Sequence, residues 1–139
     1  MTIFADASAL IAIIAKEADA EAMADCLDGD DRRFCSALSV WETIAGLVRS
    51  HMFSVPSAQA RVRLFLDAMG FTFVGIGERE YDAASAAYAQ FGKGRHPAAL
   101  NMGDCFAYAC ARTNGARLLF KGEDFARTDI APAMPRDAA

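Results

Sequence analysis

The chain has 139 residues, 54% of them hydrophobic and 23% charged, and its 18 acidic and 14 basic side chains give a net charge of −4. A chain of this length folds as one domain with its own core, and no apolar run approaches the ~18 residues of a membrane span. The acidic balance argues against binding nucleic acid through a broad basic surface, so any such role must rest on a local site.

The N-terminal segment does not resemble a secretion signal, because it lacks a basic start and Asp6 interrupts its apolar residues. We therefore expect a cytoplasmic protein. No repeat or linker divides the sequence, so we expect a single domain over residues 1–139, ending in a flexible tail at about residues 134–139. The cysteines lack the close spacing of zinc ligands and are expected to be reduced, buried thiols. They are Cys26, Cys35, Cys105 and Cys110.

In the first half of the chain, short apolar segments alternate with segments of helical periodicity. The predicted elements are a strand at 2–4, helices at 7–16 and 17–27, a strand at 33–37, and helices at 38–52 and 57–70. Pro56 suits the first turn of the last of these helices, and Gly70 suits its left-handed C-cap. This half therefore predicts two units of one strand followed by two helices.

The second half repeats the same order. The predicted elements are a strand at 71–76, a helix at 78–92, a loop at 91–100, a helix that contains Asp104 and stops at Gly115, a strand at 117–120 and a last extended piece at 128–132. Continuous apolar strands with helices between them predict an α/β fold, with a mostly parallel sheet of four to five strands covered on both faces.

Acidic residues follow or precede the strands in four separate chain segments. The candidates are Asp6 after the first strand, Glu42 in the helix after the second, Asp104 in the helix before the fourth, and Glu123, Asp124 and Asp129 after the fourth. Open α/β sheets bind ligands at the carboxyl ends of their strands. Carboxylates crowded there repel one another unless a hard divalent cation neutralises them, so the pattern predicts a Mg²⁺ or Mn²⁺ site.

Each of these acids also has a structural explanation. Glu42 follows Ser39 by three residues, as in a capping box. Asp6 is placed to cap the helix that follows it, and Asp104 complements the positive end of its own helix. Local sequence alone leaves the structural and the catalytic explanations open.

The helix that contains Asp104 has two kinds of face. One stripe is predicted to face the core, and it consists of Met102, Phe106, Cys110 and Thr113. Asp104 shares its own face with Ala107, Tyr108 and Ala111, and the small residues on this face would let the helix lie close to the sheet edge. Gly103 leaves space beside the acid.

Four segments together resemble the successive motifs of PIN-domain nucleases, closest to the VapC-type toxins of bacterial toxin–antitoxin pairs. They are FADASAL with Asp6 and Ser8, SALSVWET with Glu42, NMGDCFAYACA with Asp104, and LLFKGEDFARTDI. They span nearly the whole chain in the family's order. The resemblance implies an α/β/α sandwich with a parallel sheet, and Mg²⁺-dependent hydrolysis of RNA phosphodiester bonds, with Mn²⁺ as a substitute.

The resemblance also implies the roles of single residues. The catalytic acids would be Asp6, Glu42, Asp104 and Asp124, of which Asp6 and Asp104 would be the principal metal ligands. Glu123 and Asp129 are neighbouring alternatives for the fourth acid. Ser8 would hydrogen-bond the Asp6 carboxylate or a metal-bound water, unless it simply caps the helix.

The implied partners are an RNA substrate, a small VapB-like antitoxin whose tail would cover the acidic pocket, and a second copy of the chain in a homodimer. Basic side chains near the active edge are candidates to contact RNA phosphates, although solvated surface charge explains them equally well. These are Lys93, Arg95 and His96 in one loop, and Lys121 and Arg127. His51 and His96 are predicted to be surface residues rather than catalytic groups.

Two alternatives compete with a nuclease. A phosphotransferase of the haloacid dehalogenase class also places an Asp after its first strand, where Asp6 stands, but it needs a second Asp two residues later, where this chain has Ser8. The other alternative is a PIN-fold protein that binds a partner and does not catalyse. The presence of all four acids argues against it, and a measurement of activity decides between the two.

Overall fold

The computed structural model describes residues 1–134, and this part of the chain contains four strands and six helices. In chain order they are β1 (Thr2–Ala5), α1 (Ala7–Ile14), α2 (Ala20–Asp28), β2 (Arg32–Cys35), α3 (Ala37–His51), α4 (Val55–Ala68), β3 (Phe71–Phe73), α5 (Glu78–Phe91), α6 (Met102–Thr113) and β4 (Arg117–Leu119). A 3₁₀ turn, Phe125–Arg127, follows β4. No helix in the described part is long and apolar enough to cross a membrane. The predicted tail beyond residue 134 lies outside the described residues.

The four strands are parallel and lie side by side in the order β3-β2-β1-β4, which confirms the predicted parallel sheet. Ile3 of β1 lies beside Arg33 of β2 on one side and Arg117 of β4 on the other. The chain moves from β1 to β2 to β3 in one direction and then places β4 on the opposite side of β1. The order therefore reverses between β1 and β4, where open α/β sheets bind their ligands.

The extended piece predicted at residues 128–132 is not a strand. It forms one isolated parallel bridge, between Pro132 and Leu118. The Leu118 N–H donates to the Ala131 carbonyl at 2.9 Å and the Ala133 N–H donates to the Leu118 carbonyl at 2.8 Å. These two bonds flank Pro132, whose own nitrogen faces away from β4, and within residues 1–134 no further bond extends the ladder. Among residues 1–134 the sheet therefore has four strands, the lower of the two predicted numbers.

Helices cover both faces of the sheet, so the predicted α/β/α sandwich is confirmed. Successive residues of β1 point to opposite faces. Ile3 is buried in a cluster with Met23 of α2, whereas Phe4 is buried in a second cluster with Phe91 of α5 and with several residues of α6. The pair α5 and α6 therefore forms one outer layer, and the helices from α1 to α4 form the other.

The cysteines are free thiols, of which Cys35, Cys105 and Cys110 are buried and Cys26 is half-buried. Burial raises the pKa of Cys35 to about 12 and the pKa values of Cys105 and Cys110 to about 11. These three thiols are therefore protonated and uncharged at neutral pH, and they pack as small apolar groups.

The faces of α6 differ from those predicted. Met102 is 64% exposed and Thr113 is partly exposed, whereas Gly103, Ala107 and Ala111 are buried. The predicted core stripe is therefore wrong at both of its ends. The helix packs against α5 as well as against the sheet, and its small residues permit close approach on both sides.

Candidate active site at the carboxyl ends of the strands

Asp6 lies directly after β1, where the sheet order reverses, and it is the N-cap of α1. Its Oδ2 accepts hydrogen bonds from the Ser8 backbone N–H at 3.0 Å and from the Ser8 hydroxyl at 2.6 Å. The Ser8 hydroxyl in turn accepts from the Lys121 N–H, beyond β4, at 3.0 Å. Ser8 therefore orients the Asp6 carboxylate and does not cap the helix. Asp6 is 5% exposed, and its burial raises its pKa.

Glu42 lies in the second turn of α3 and takes no part in capping that helix. The capping box is formed by Ser36 and Ser39, whose backbone N–H groups donate to each other's hydroxyl oxygen at 2.9 and 3.1 Å. The capping explanation of Glu42 is therefore wrong, because α3 begins earlier than the local motif indicates. The Glu42 carboxylate lies instead against Gly103 of α6, where a Cβ atom on Gly103 would overlap it.

Asp104 has a structural role at the start of its helix, and it also belongs to this site. It lies in the first turn of α6 and forms a capping box with Asn101. Its Oδ2 accepts from the Asn101 N–H at 3.1 Å, and its own N–H donates to Asn101 Oδ1 at 2.9 Å. These bonds fix a half-buried carboxylate at the end of α6 that faces α3.

Burial and neighbouring negative charges raise the pKa values of Glu42 and Asp104. Burial, followed by the charges of Asp6 and Asp104, raises the pKa of Glu42 to about 7. Burial is also the main cause that raises the pKa of Asp104 to about 6, aided by the Asp6 charge and opposed by the hydrogen bond from Asn101. Among the described residues, none of the three forms an ion pair. We call Asp6, Glu42 and Asp104 the carboxylate cluster.

The three candidates for a fourth acid have different surroundings. Asp124 is exposed at the start of the 3₁₀ turn, and its charge contributes to the raised pKa of Asp104. Asp129 is engaged elsewhere, by Tyr108 and Arg112 of α6. Glu123 is exposed and lines a separate cavity of about 300 Å³. Of these three acids, Asp124 is therefore the one whose charge acts on the carboxylate cluster.

The predicted basic residues are mostly engaged with other parts of the protein. Lys121 Nζ lies 2.5 Å from a Glu17 carboxylate oxygen, and Glu17 also contacts His51 Nε2 at 2.9 Å. The His96 ring packs edge-on against Phe91 at 5.2 Å between ring centroids. His51 and His96 are both partly exposed.

Within residues 1–134, no group of three or more His, Cys, Asp or Glu side chains converges as a ready-made metal cage. The donor chemistry nevertheless fits a hard divalent cation. The cluster offers buried and half-buried carboxylate oxygens that lack a counter-charge, and Mg²⁺ and Mn²⁺ prefer carboxylate ligands. A bound cation would also remove the repulsion that raises these pKa values.

Comparisons with known proteins agree with this fold. Residues 3–131 match the family model of the PIN domain. Ribonuclease VapC30 of Mycobacterium tuberculosis is 44% identical over 131 residues, which cover 94% of this chain and 98% of that protein. The chain belongs to the PIN-domain family. Within that family it belongs to the VapC ribonucleases, as the motifs predict.

Two solved structures share the fold. The crystal structure of M. tuberculosis VapC20, described as a sarcin–ricin loop cleaving toxin, has a TM-score of 0.73 at 16% identity and covers 93% of this chain and 96% of that one. VapBC2 from Rickettsia felis, bound to a DNA fragment from its promoter, has a TM-score of 0.73 at 14% identity, with coverage of 95% and 96%. Family membership favours the nuclease over the haloacid-dehalogenase alternative.

Proposed function

We propose that this protein is the toxin of a toxin–antitoxin pair and that it hydrolyses RNA phosphodiester bonds with the help of a divalent metal ion. Its similarity to proteins named VapC ribonucleases supports the reaction. One observation carries the assignment to this site: Asp6, Glu42 and Asp104 come together from β1, α3 and α6 without a counter-charge.

Asp6 and Asp104 would hold the ion, Mg²⁺ with Mn²⁺ as a substitute, through their carboxylate oxygens. When bound, such an ion activates a water and neutralises charge on the scissile phosphate. The chain fixes both carboxylates in advance, because Ser8 donates to Asp6 and Asn101 donates to Asp104. Hydrogen bonds of this kind orient metal ligands and tune their affinity.

Glu42 and Asp124 would complete the acidic site. Glu42 places a third carboxylate beside Asp6 and Asp104, and the absent side chain of Gly103 leaves room for it. Asp124 lies at the exposed rim, where the attacking water and the RNA have access. We assign to these two acids the orientation of water around the scissile phosphate.

RNA phosphates would be contacted by the exposed loop that precedes α6. Lys93 and Arg95 are exposed in this loop, and the Arg95 guanidinium lies 5.2 Å from the centroid of the Tyr88 ring. Arg127 donates to the Pro97 carbonyl at 3.3 Å and so ties the loop to the 3₁₀ turn after Asp124. Basic contacts of this type position a nucleic acid without reading its sequence.

The cleavage assay tests this function directly. Protein freed of its antitoxin is expected to cleave structured RNA in the presence of Mg²⁺ or Mn²⁺ and to stop when EDTA removes the ion. Folded protein that cleaves no RNA with either ion would refute the proposal and would favour the PIN-fold protein that binds without catalysing.

We further propose a VapB-like antitoxin, a cytoplasmic location and a homodimer. An antitoxin tail that carries a Lys or Arg would neutralise the carboxylate cluster through charge-assisted hydrogen bonds. Expression with and without the neighbouring open reading frame tests the pairing, because the neighbour is expected to relieve growth arrest. Light scattering on the purified protein measures whether two copies associate.

A further inference from the structure

Tyr108, Arg112 and Asp129 form a closed network that the nuclease assignment does not use. The Tyr108 hydroxyl donates to Asp129 Oδ1 at 2.5 Å, and Arg112 Nη2 donates to the Tyr108 oxygen at 2.6 Å and to Asp129 Oδ2 at 2.9 Å. The Arg112 guanidinium also lies over the Tyr108 ring, 5.2 Å from its centroid. We call these three residues the α6 clasp.

The clasp joins the two segments that carry Asp104 and Asp124. Tyr108 follows Asp104 by four residues and therefore lies on the same side of α6, one turn further along. Asp129 closes the segment that begins with Asp124 and the 3₁₀ turn. The contacts of the clasp therefore fix one carboxylate-bearing segment against the other.

Both sides of the clasp are held by packing contacts with aromatic residues. On α6, Tyr108 is 7% exposed, and its ring centroid lies 6.0 Å from that of Phe91. On the other segment, Phe125 is 3% exposed and packs against Phe120, and the Thr128 hydroxyl donates to the Phe125 carbonyl at 2.7 Å. A shift at Asp129 would therefore move the short segment back to Asp124, and hence the charge that acts on Asp104.

Stability alone does not account for this arrangement. Arg112 and Asp129 are each about half exposed, and exposed ion pairs contribute little to folding. Both carboxylate oxygens of Asp129 accept hydrogen bonds within the clasp, so this acid is not available as the fourth metal-site acid. What distinguishes Asp129 is that its contacts join the two acidic segments.

We propose that the α6 clasp sets the position of Asp124 relative to Asp104, and that Tyr108, Arg112 and Asp129 are positioning residues for the metal-dependent reaction. This inference rests on the function proposed above. It assigns a role to Asp129 that differs from that of a metal ligand, because Asp129 acts through Asp124.

The test uses Asp129→Ala and Tyr108→Phe, with Asp67→Ala as the matched control. Asp67 forms an exposed ion pair with Arg63 on α4, at 3.4 Å, away from the site. Each clasp variant is expected to lower kcat about tenfold, as for partners that orient metal ligands. The KM for RNA stays unchanged, the Mg²⁺ concentration for half activity rises, and Asp67→Ala behaves as wild type. Tyr108→Phe removes a single hydroxyl, so it preserves the test if Asp129→Ala folds poorly.

A double-variant comparison shows whether the clasp acts through Asp124. In an Asp124→Ala background, adding Asp129→Ala is expected to cause no further loss of kcat, because the group that the clasp positions is already gone. Equal losses from Asp129→Ala in both backgrounds would overturn the proposal. Wild-type kcat and Mg²⁺ dependence in both clasp variants would overturn it as well.

Two readouts do not depend on cleavage of RNA and so separate this inference from the proposed function. Limited trypsin digestion after Arg127 is expected to be faster in Asp129→Ala than in Asp67→Ala. Because Asp124 adds its negative charge beside the metal ligand Asp104, calorimetric titration with Mn²⁺ is expected to show affinity at least a few-fold weaker in Asp129→Ala than in wild type. If the wild type cleaves no RNA, equal digestion rates or equal Mn²⁺ affinities in these proteins still overturn the clasp, whereas the expected differences support it.

Discussion

Acidic side chains near the two ends of α6 have opposite electrostatic surroundings. At its N-terminal end, Asp104 lies with Asp6 and Glu42 without a counter-charge, and burial together with mutual repulsion raises the pKa of Glu42 to about 7. Near its C-terminal end, Asp129 accepts hydrogen bonds from Tyr108 and Arg112, and these hold its pKa below the usual range. The same helix thus carries one acidic site without a counter-charge and one whose acid is already neutralised by neighbouring side chains.

This difference indicates which acidic site needs a cation that the protein itself does not supply. The same protein supplies a base to other acids, as Lys121 and His51 do for Glu17, so counter-charges are not lacking. Leaving several half-buried carboxylates together costs free energy unless something neutralises them. A divalent ion in the enzyme, or a basic side chain of an antitoxin, would supply the charge that the carboxylate cluster lacks.

The largest expected effect comes from removing one charge of the cluster. Asp104→Asn keeps the shape and an acceptor for the Asn101 N–H but loses a metal ligand. We expect cleavage to fall by roughly 100-fold or more, since metal-held charge supplies several kcal/mol and each tenfold costs about 1.36 kcal/mol. Single-turnover assays measure this, with Asp67→Asn as a control that removes an exposed charge from α4. Wild-type cleavage by Asp104→Asn would refute the assigned role.

A smaller effect is expected from Gly103→Ala, which adds a methyl group where the Glu42 carboxylate lies. The overlapping atoms are the end of a flexible side chain, so Glu42 moves aside and the fold persists. We expect cleavage to fall about tenfold, as when a group that orients the site is lost, with the thermal midpoint nearly unchanged. Gly75→Ala is the matched control, because a Cβ atom there meets nothing within 4 Å. Equal activity of the two variants would show that Glu42 does not need its present position.

The smallest expected effect is a pH dependence of stability in metal-free protein. Because the pKa of Glu42 rises from 4.5 to about 7 and that of Asp104 from 3.8 to about 6 on folding, their contribution is present at low pH and is lost as pH rises through this window. Asp129 and Glu17 have lowered pKa values, so their contributions have the opposite sign and change only below their unfolded values.

Urea unfolding in EDTA between about pH 5 and about pH 8 measures this slope. Stability is expected to fall as pH rises, and Asp104→Asn is expected to flatten the slope while Asp67→Asn leaves it unchanged. A stability that increases over this range in the wild type would contradict the view that the cluster is uncompensated.

Much of the fold follows from local patterns, and its departures have identifiable causes. Apolar strands alternating with helices predict the parallel sheet, and a strand-end acid predicts the place of Asp6. The start of α3 lies within one residue of the predicted one, but Ser36 and Ser39 cap it together, so the apparent capping motif of Ser39 and Glu42 has no capping role. Within residues 1–134 the predicted fifth strand is reduced to a single bridge between Pro132 and Leu118, because the segment meets β4 at one residue pair only.

What the sequence cannot supply is which groups meet across the fold. Asp129 was a reasonable fourth acid by position, but its partners lie 17 and 21 residues away on α6. Tyr108 and Arg112 are four residues apart on one helix face, which is the only local sign of the clasp. The missing counter-charge of the carboxylate cluster likewise appears only after β1, α3 and α6 have packed together.

Calorimetric titration of Mn²⁺ into metal-free protein at neutral pH tests the central claim most directly. We expect saturable binding to the wild type and to Asp67→Asn, and binding weakened at least about tenfold in Asp104→Asn because a carboxylate ligand is lost. Equal Mn²⁺ affinity in the wild type and in Asp104→Asn would contradict the claim that the carboxylate cluster is the metal site.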